Sequence, residues 1–357
     1  MRLELTKKWY FKLGLRYLDM LSYRQLAVNY LVDVLDDYIK LGLADSHFEK
    51  SILLQSGNSY EQRLSELLVF DYLRNNGFTR LSSSNKGPDF RAEKDGQVYW
   101  FEVITPSPSP PKPPMLNMGE HLNNKSRMLN PDPHDQNAES QRMLLKITGA
   151  VKEKNDKFNG YLEDGLISET DVCVIVINDT LLAMDEVPMY GITAQLVTGQ
   201  SGLPLVVEAL LGVGNCIWSP KEDGSHEILR TRKESVNTNM GSSVQIDSFI
   251  SGGYENISAV LGLTLREDYG FCAAINTLKA KRGILVKNSR SRVSFDETKI
   301  NADVMTTEDA DYMSTKGNGR SHEVVETVHG QKLKFFRFMH NYYPMYKESK
   351  CSWYDFI

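Results

Sequence analysis

The stretch GPDFRAEKDGQVYWFEVIT, residues 87–105, decides the fold. Two β-type runs flank Lys94, Asp95 and Gly96, a turn signal, so the stretch predicts a β-hairpin. Asp89 falls on the first strand and Glu102 near the end of the second, which brings their carboxylates side by side where the strands meet. Glu102 interrupts a run of β-formers, with Trp100 on the same face, and a carboxylate in that setting needs a partner. Asp89 by itself also reads as a turn residue after Pro88. Two converging carboxylates and the Val103 carbonyl offer hard oxygen ligands, which suit Mg2+ or Mn2+ rather than zinc.

Upstream, YEQRLSELLVFDYLRNNGF (residues 60–78) sets Leu64, Leu67, Leu68, Val69, Tyr72 and Leu73 on one side and stops at Asn75, Asn76 and Gly77, as a helix does. The chain before it, to about Ser56, also reads helical. Downstream, PSPSPPKPP opens a long polar loop reaching about Ala138. A helix from about Glu139 to Leu162 follows, then DVCVIVIND (residues 171–179), a strand buried on both faces. Further on, VPMYGITAQLVTG and LPLVVEALLGV read as helix or strand near the core. ILRTRKESV, SSVQIDSFI, YENISAVLGLTL and GFCAAINTL read as strands. The whole is an α/β fold, divided into a helical extension (1–57), a core (58–180) and a mixed elaboration (181–357).

The 357 residues are enough for one large or two modest domains. With 41% hydrophobic and 24% charged residues and a mean hydropathy of -0.37, the composition excludes a disordered or fibrous chain. No apolar run reaches the length of a membrane span, and the N-terminal residues lack the pattern of a secretory signal, so the expected location is the cytoplasm. Cys173, Cys216, Cys272 and Cys351 are too scattered for structural zinc or a disulfide framework. The seven histidines show no metal-ligand spacing.

A net charge of -5 gives no overall attraction for polyanions but leaves room for a local basic groove. Arg230, Arg232 and Lys233 read as a solvated face. Lys279, Lys281, Arg282 and Lys287, with Arg290 and Arg292 beyond, suit a strand and loop beside a nucleic-acid backbone. No phosphate-binding GxxxxGK[ST] loop is present.

GPDF (Gly87 to Phe90) followed by WFEV (Trp100 to Val103) resembles the PD-(D/E)XK nuclease superfamily, over roughly residues 59–178. LSELLVFDYLRNNGF and the later INTLKAKRGIL look closest to uncharacterised bacterial members. The resemblance implies a restriction-endonuclease-like core of helix, three-stranded meander, helix and strand. It implies metal binding by Asp89 and Glu102, with Glu66 as the matching helical glutamate and Glu61 a weaker match. The family's lysine position holds Ile104, and some members carry that lysine on the following helix. There Lys146, Lys152 and Lys157 lie off the apolar stripe of Leu144, Ile147, Val151 and Phe158, whereas Lys154 lies on it. Burying that lysine is expensive unless it faces carboxylates.

The implied activity is Mg2+- or Mn2+-dependent phosphodiester hydrolysis of nucleic acid, DNA favoured, in a setting such as defence against foreign DNA. Ile104 favours another class, a catalytically degenerate module that binds nucleic acid or a protein partner. A third reading is a different hydrolase with the proline-rich loop as its lid. The aromatic tail, with Phe335, Phe336, Phe338, Tyr342 and Tyr343, reads equally as a homodimer surface or as core. No membrane partner is expected.

Overall fold

The computed structural model describes residues 2–16, 23–54, 57–83, 86–107, 133–182, 196–199, 201–220, 226–238, 241–267, 269, 273 and 283–307. Three helices open the chain: α1 (Arg2–Arg16), α2 (Tyr23–Lys40) and α3 (Ser46–Ile52). Asp45 caps α3 by accepting from the Phe48 amide, one of the donors a helix start leaves unpaired. The long helix α4 (Asn58–Asn75) follows and ends at Gly77, whose φ of +79° suits a residue without a Cβ.

The next elements are β1 (Thr79–Ser82), β2 (Phe90–Lys94), β3 (Gln97–Ile104), α5 (Pro133–Glu163) and β4 (Val172–Asn178). After these come α6 (Leu205–Leu211), β5 (Val213–Pro220), β6 (His226–Arg232), β7 (Ser235–Asn237), β8 (Ser243–Gln245) and α7 (Ser248–Ser251). The described residues close with β9 (Ala259–Leu263), β10 (Gly283–Lys287) and β11 (Asp303–Thr306).

Seven strands form one mixed sheet in the order β1-β2-β3-β4-β9-β10-β11. β3, β4 and β9 run parallel, β1, β2 and β3 form an antiparallel meander, and β10 is antiparallel to β9 but parallel to β11. The β2–β3 hairpin turns through Asp95 and Gly96, both at positive φ, with Lys94 opposite Gln97. A two-residue turn of that kind matches the twist of its strands.

Every residue of β4 is buried, because alternate side chains enter two separate cores. Val172, Val174 and Val176 join the core built by α1 to α4, while Cys173, Ile175 and Ile177 join the one under α5, α6 and α7. The molecule is therefore a mixed α/β protein with helices on both faces of a mixed sheet.

Several expectations shift. α5 begins at Pro133, six residues before Glu139. Proline fits a first helical turn, where its missing N–H has no partner to lose, and the apolar period starts only later in the helix. Asp89 lies immediately before β2 and not on it. LPLVVEALLGV resolves as helix α6, and ILRTRKESV splits between β6 and β7, which pair with β5 and β8 outside the main sheet. Residues 108–132, Lys279, Lys281, Arg282, GFCAAINTL apart from Ala273, and the aromatic tail lie outside the described residues.

Candidate functional site

The hairpin register sets Phe90 opposite Phe101, so Asp89 arrives beside Glu102 and Val103. The Val103 amide donates to Asp89 Oδ2 at 2.7 Å, tying the residue before β2 to the end of β3. Glu102 shares the alternation of Trp100 and Ile104 and points to the α5 side of the sheet. There Lys154 Nζ lies 2.6 Å from Glu102 Oε2, and the Tyr161 hydroxyl donates to Oε1 at 2.9 Å. Glu102 is 2% exposed and Lys154 6%. Both donors come from one face of α5, seven residues apart, or about two helical turns.

Across the sheet, α4 supplies Glu66, which is also buried. Arg63 Nη1 sits 2.9 and 2.7 Å from its two oxygens. The Gln62 amide bridges helix and strand. Its Nε2 lies 3.3 Å from both Glu66 Oε1 and the Val103 carbonyl, and its Oε1 accepts from the Thr105 amide at 3.1 Å. The N-terminal helices buttress this region, with the Tyr38 ring edge-on to Phe90.

The charges interact across the site. Burial, then Glu102 and Glu66, push the Asp89 carboxyl up to about 7, against the pull of Lys154 and the Val103 amide. Burial raises Glu66 as well, partly offset by Arg63 and Gln62. Burial alone would lower Lys154, but Glu102 and Asp89 outweigh it, and the ammonium is held above its ordinary value. Tyr161 is raised by burial and then by Glu102, so its phenol stays protonated and keeps donating.

Among the described residues, no three His, Cys, Asp or Glu side chains converge as a ready-made metal cage. Mg2+ does not require one, since it is held by one or two carboxylates with water and substrate oxygens completing its shell. The donor set fits that mode: Asp89, Glu102 and the second lone pair of the Val103 carbonyl are hard oxygens. The Thr105 hydroxyl, 8% exposed, has no hydrogen-bond partner among the described residues, whereas a buried hydroxyl is ordinarily paired, so it is a further oxygen open to a ligand.

Asp89, Glu102, Val103, Lys154 and Glu66 thus occupy one region where the C-terminal end of β3 meets α4 and α5. Lys287 does not join them. It pairs with Glu297 at 2.7 Å, three strands from β3, or about 14 Å at the usual spacing. Arg232 is partly exposed and engaged by the buried Asp247 at 2.9 Å and by the exposed Glu234 at 3.4 Å, so it is anchored to the body and not a freely solvated cation. Sequence reasoning missed Gln62, Arg63 and Tyr161. Tyr161 continues the spacing from Lys154 along α5 and was open to discovery, and Gln62 lies one turn before Glu66. No protein-family model, curated protein or solved structure matches the chain.

Proposed function

We propose that the unit from α4 to β4 is a restriction-endonuclease-like core of the PD-(D/E)XK kind and that the chain is a metal-dependent nuclease, with DNA the favoured substrate. One observation carries this reading. The cation missing at Ile104 arrives from α5, where Lys154 reaches Glu102 at 2.6 Å inside the protein. A lysine buried against a carboxylate beside a second carboxylate of raised pKa is the kind of perturbed cluster that marks chemistry.

Asp89, Glu102 and the Val103 carbonyl would hold a divalent cation. When bound, such an ion supplies Lewis-acid polarisation of a phosphate oxygen and a more acidic water. The protein's own groups do the rest. Lys154 brings a fixed positive charge to where negative charge grows during attack on phosphorus, in surroundings where it is weakly screened. Tyr161 and Lys154 together fix the plane of the Glu102 carboxylate. Glu66 orients the attacking water or takes its proton, and Gln62 keeps that helix registered to the strand end.

The test is incubation of the full chain with supercoiled plasmid, linear DNA and RNA in Mg2+ or Mn2+, beside Glu102→Ala and Lys154→Ala proteins checked for folding. The expected result is metal-dependent cleavage by the native chain that falls by about a hundredfold or more in both variants. Retained nucleic-acid binding with no cleavage of any substrate would instead favour the degenerate binding module that Ile104 suggests.

A further inference from the structure

Two buried glutamates flank Asp89, and each faces a different kind of cation. Lys154 is a point charge that touches one oxygen of Glu102, leaving the other to the neutral Tyr161 hydroxyl. Arg63 sits against both oxygens of Glu66 at once, through Nη1, and its Nη2 is fixed 3.1 Å from His47 Nδ1 on α3. A guanidinium keeps its charge at any ordinary pH, so this neutralisation is permanent. Gln62 crowds Glu66 Oε1 further. A metal ion approaching Glu66 would meet an installed cation on both oxygens.

The charge balance points the same way. With a divalent ion bound to displace the shared proton, the carboxylates of Asp89, Glu102 and Glu66 face two cations, Lys154 and Arg63, leaving one negative charge in excess on the protein side. Asp45 is exposed, and Lys157 is exposed and paired with Glu153, so solvent screens both. One divalent ion with one phosphodiester monoanion brings the interior to neutrality. A second divalent ion beside Glu66 would have to enter against the standing charge of Arg63, which is expensive in a mostly buried site.

We propose that Arg63 stands against Glu66 in the place of a second cation, so that each chain takes a single divalent ion, at Asp89 and Glu102. This rests on the metal-dependent reading above and fixes its stoichiometry. Arg63 is then a positioning residue that holds Glu66 free of metal and available to water.

The deciding experiment counts Mn2+ bound to the full chain, by calorimetry and by the loss of the free-ion electron paramagnetic resonance signal, without nucleic acid. The native protein should bind one ion, Arg63→Met two, and the Arg63→Met, Glu66→Gln double variant one again. Two ions on the native chain, or one on a folded Arg63→Met protein, would overturn the proposal. If Arg63→Met does not fold, the native count still decides between one and two. No ion on the native chain sinks the metal-dependent reading together with this inference, whereas ions in the wrong number sink the inference alone.

Discussion

Lys154 keeps its charge inside the protein because Glu102 is 2.6 Å away, and neither group has water to fall back on. Removing one partner of such a pair strands the other, so Lys154→Met should lower stability by about 3–5 kcal/mol in urea titrations. Replacing Glu102 by Met in the same protein should recover most of that loss, because the double variant buries no unpaired charge. A single variant as stable as the native chain would show that the pair is not closed in solution. Much of this cluster was legible in advance. Lys154 sits on an apolar stripe and Glu102 in a run of β-formers, and each anomaly calls for the other. Arg63 was not legible, because it lies in the polar first turns of α4, where an arginine ordinarily faces solvent. Its partners are Glu66, three residues on in the same helix, and His47 on α3, and the side chain stays about a quarter exposed.

At the level of elements, α6 rests on β9 where Gly262 leaves no room to spare. A Cβ there would come within 2.7 Å of Val206 and 3.1 Å of Ile284. Gly262→Ala should therefore cost about 1–3 kcal/mol, seen as a lower melting temperature with unchanged helical circular dichroism. A melting point equal to the native one would mean that α6 does not seat as described. The elements differ in how openly the sequence announces them. DVCVIVIND is long, β-branched and bounded by polar residues, so β4 was plain, and α4 carried its own stop at Gly77. β1 and β11, of four residues each, are the two edge strands of the sheet, and with one buried residue in β1 and none in β11 they carry no apolar alternation for a local pattern to show. α6 was ambiguous because short apolar runs fit either period.

The whole molecule carries several carboxylates whose ionisation folding opposes. Burial raises Asp71 and Glu66, and pushes both Asp89 and Asp179 up to about 7. Asp179, immediately after β4, accepts from the Thr264 hydroxyl at 2.5 Å and the Val197 amide at 2.8 Å. Between its ordinary value of 3.8 and about 7, the unfolded chain has released this proton while the folded chain retains it. The native state binds more protons over that window, so stability falls as pH rises through it, by up to about 1.4 kcal/mol per pH unit per group, and levels off above. In a chelator, the urea midpoint should decline from about pH 5 to pH 7, and Asp179→Asn should flatten the decline. A slope unchanged by that substitution would place the titration elsewhere. The sheet order also bears on how the chain assembles. Asp89 and Glu102 meet across a two-residue turn and can find each other early, but β4 must dock between β3 and β9, whose partner residues are far away in sequence. Closing those long loops precedes any reward, which makes folding slow. Until α5 arrives with Lys154, Glu102 has no ammonium to meet, so an early collapsed chain keeps its carboxylates wet and the site is among the last parts to form.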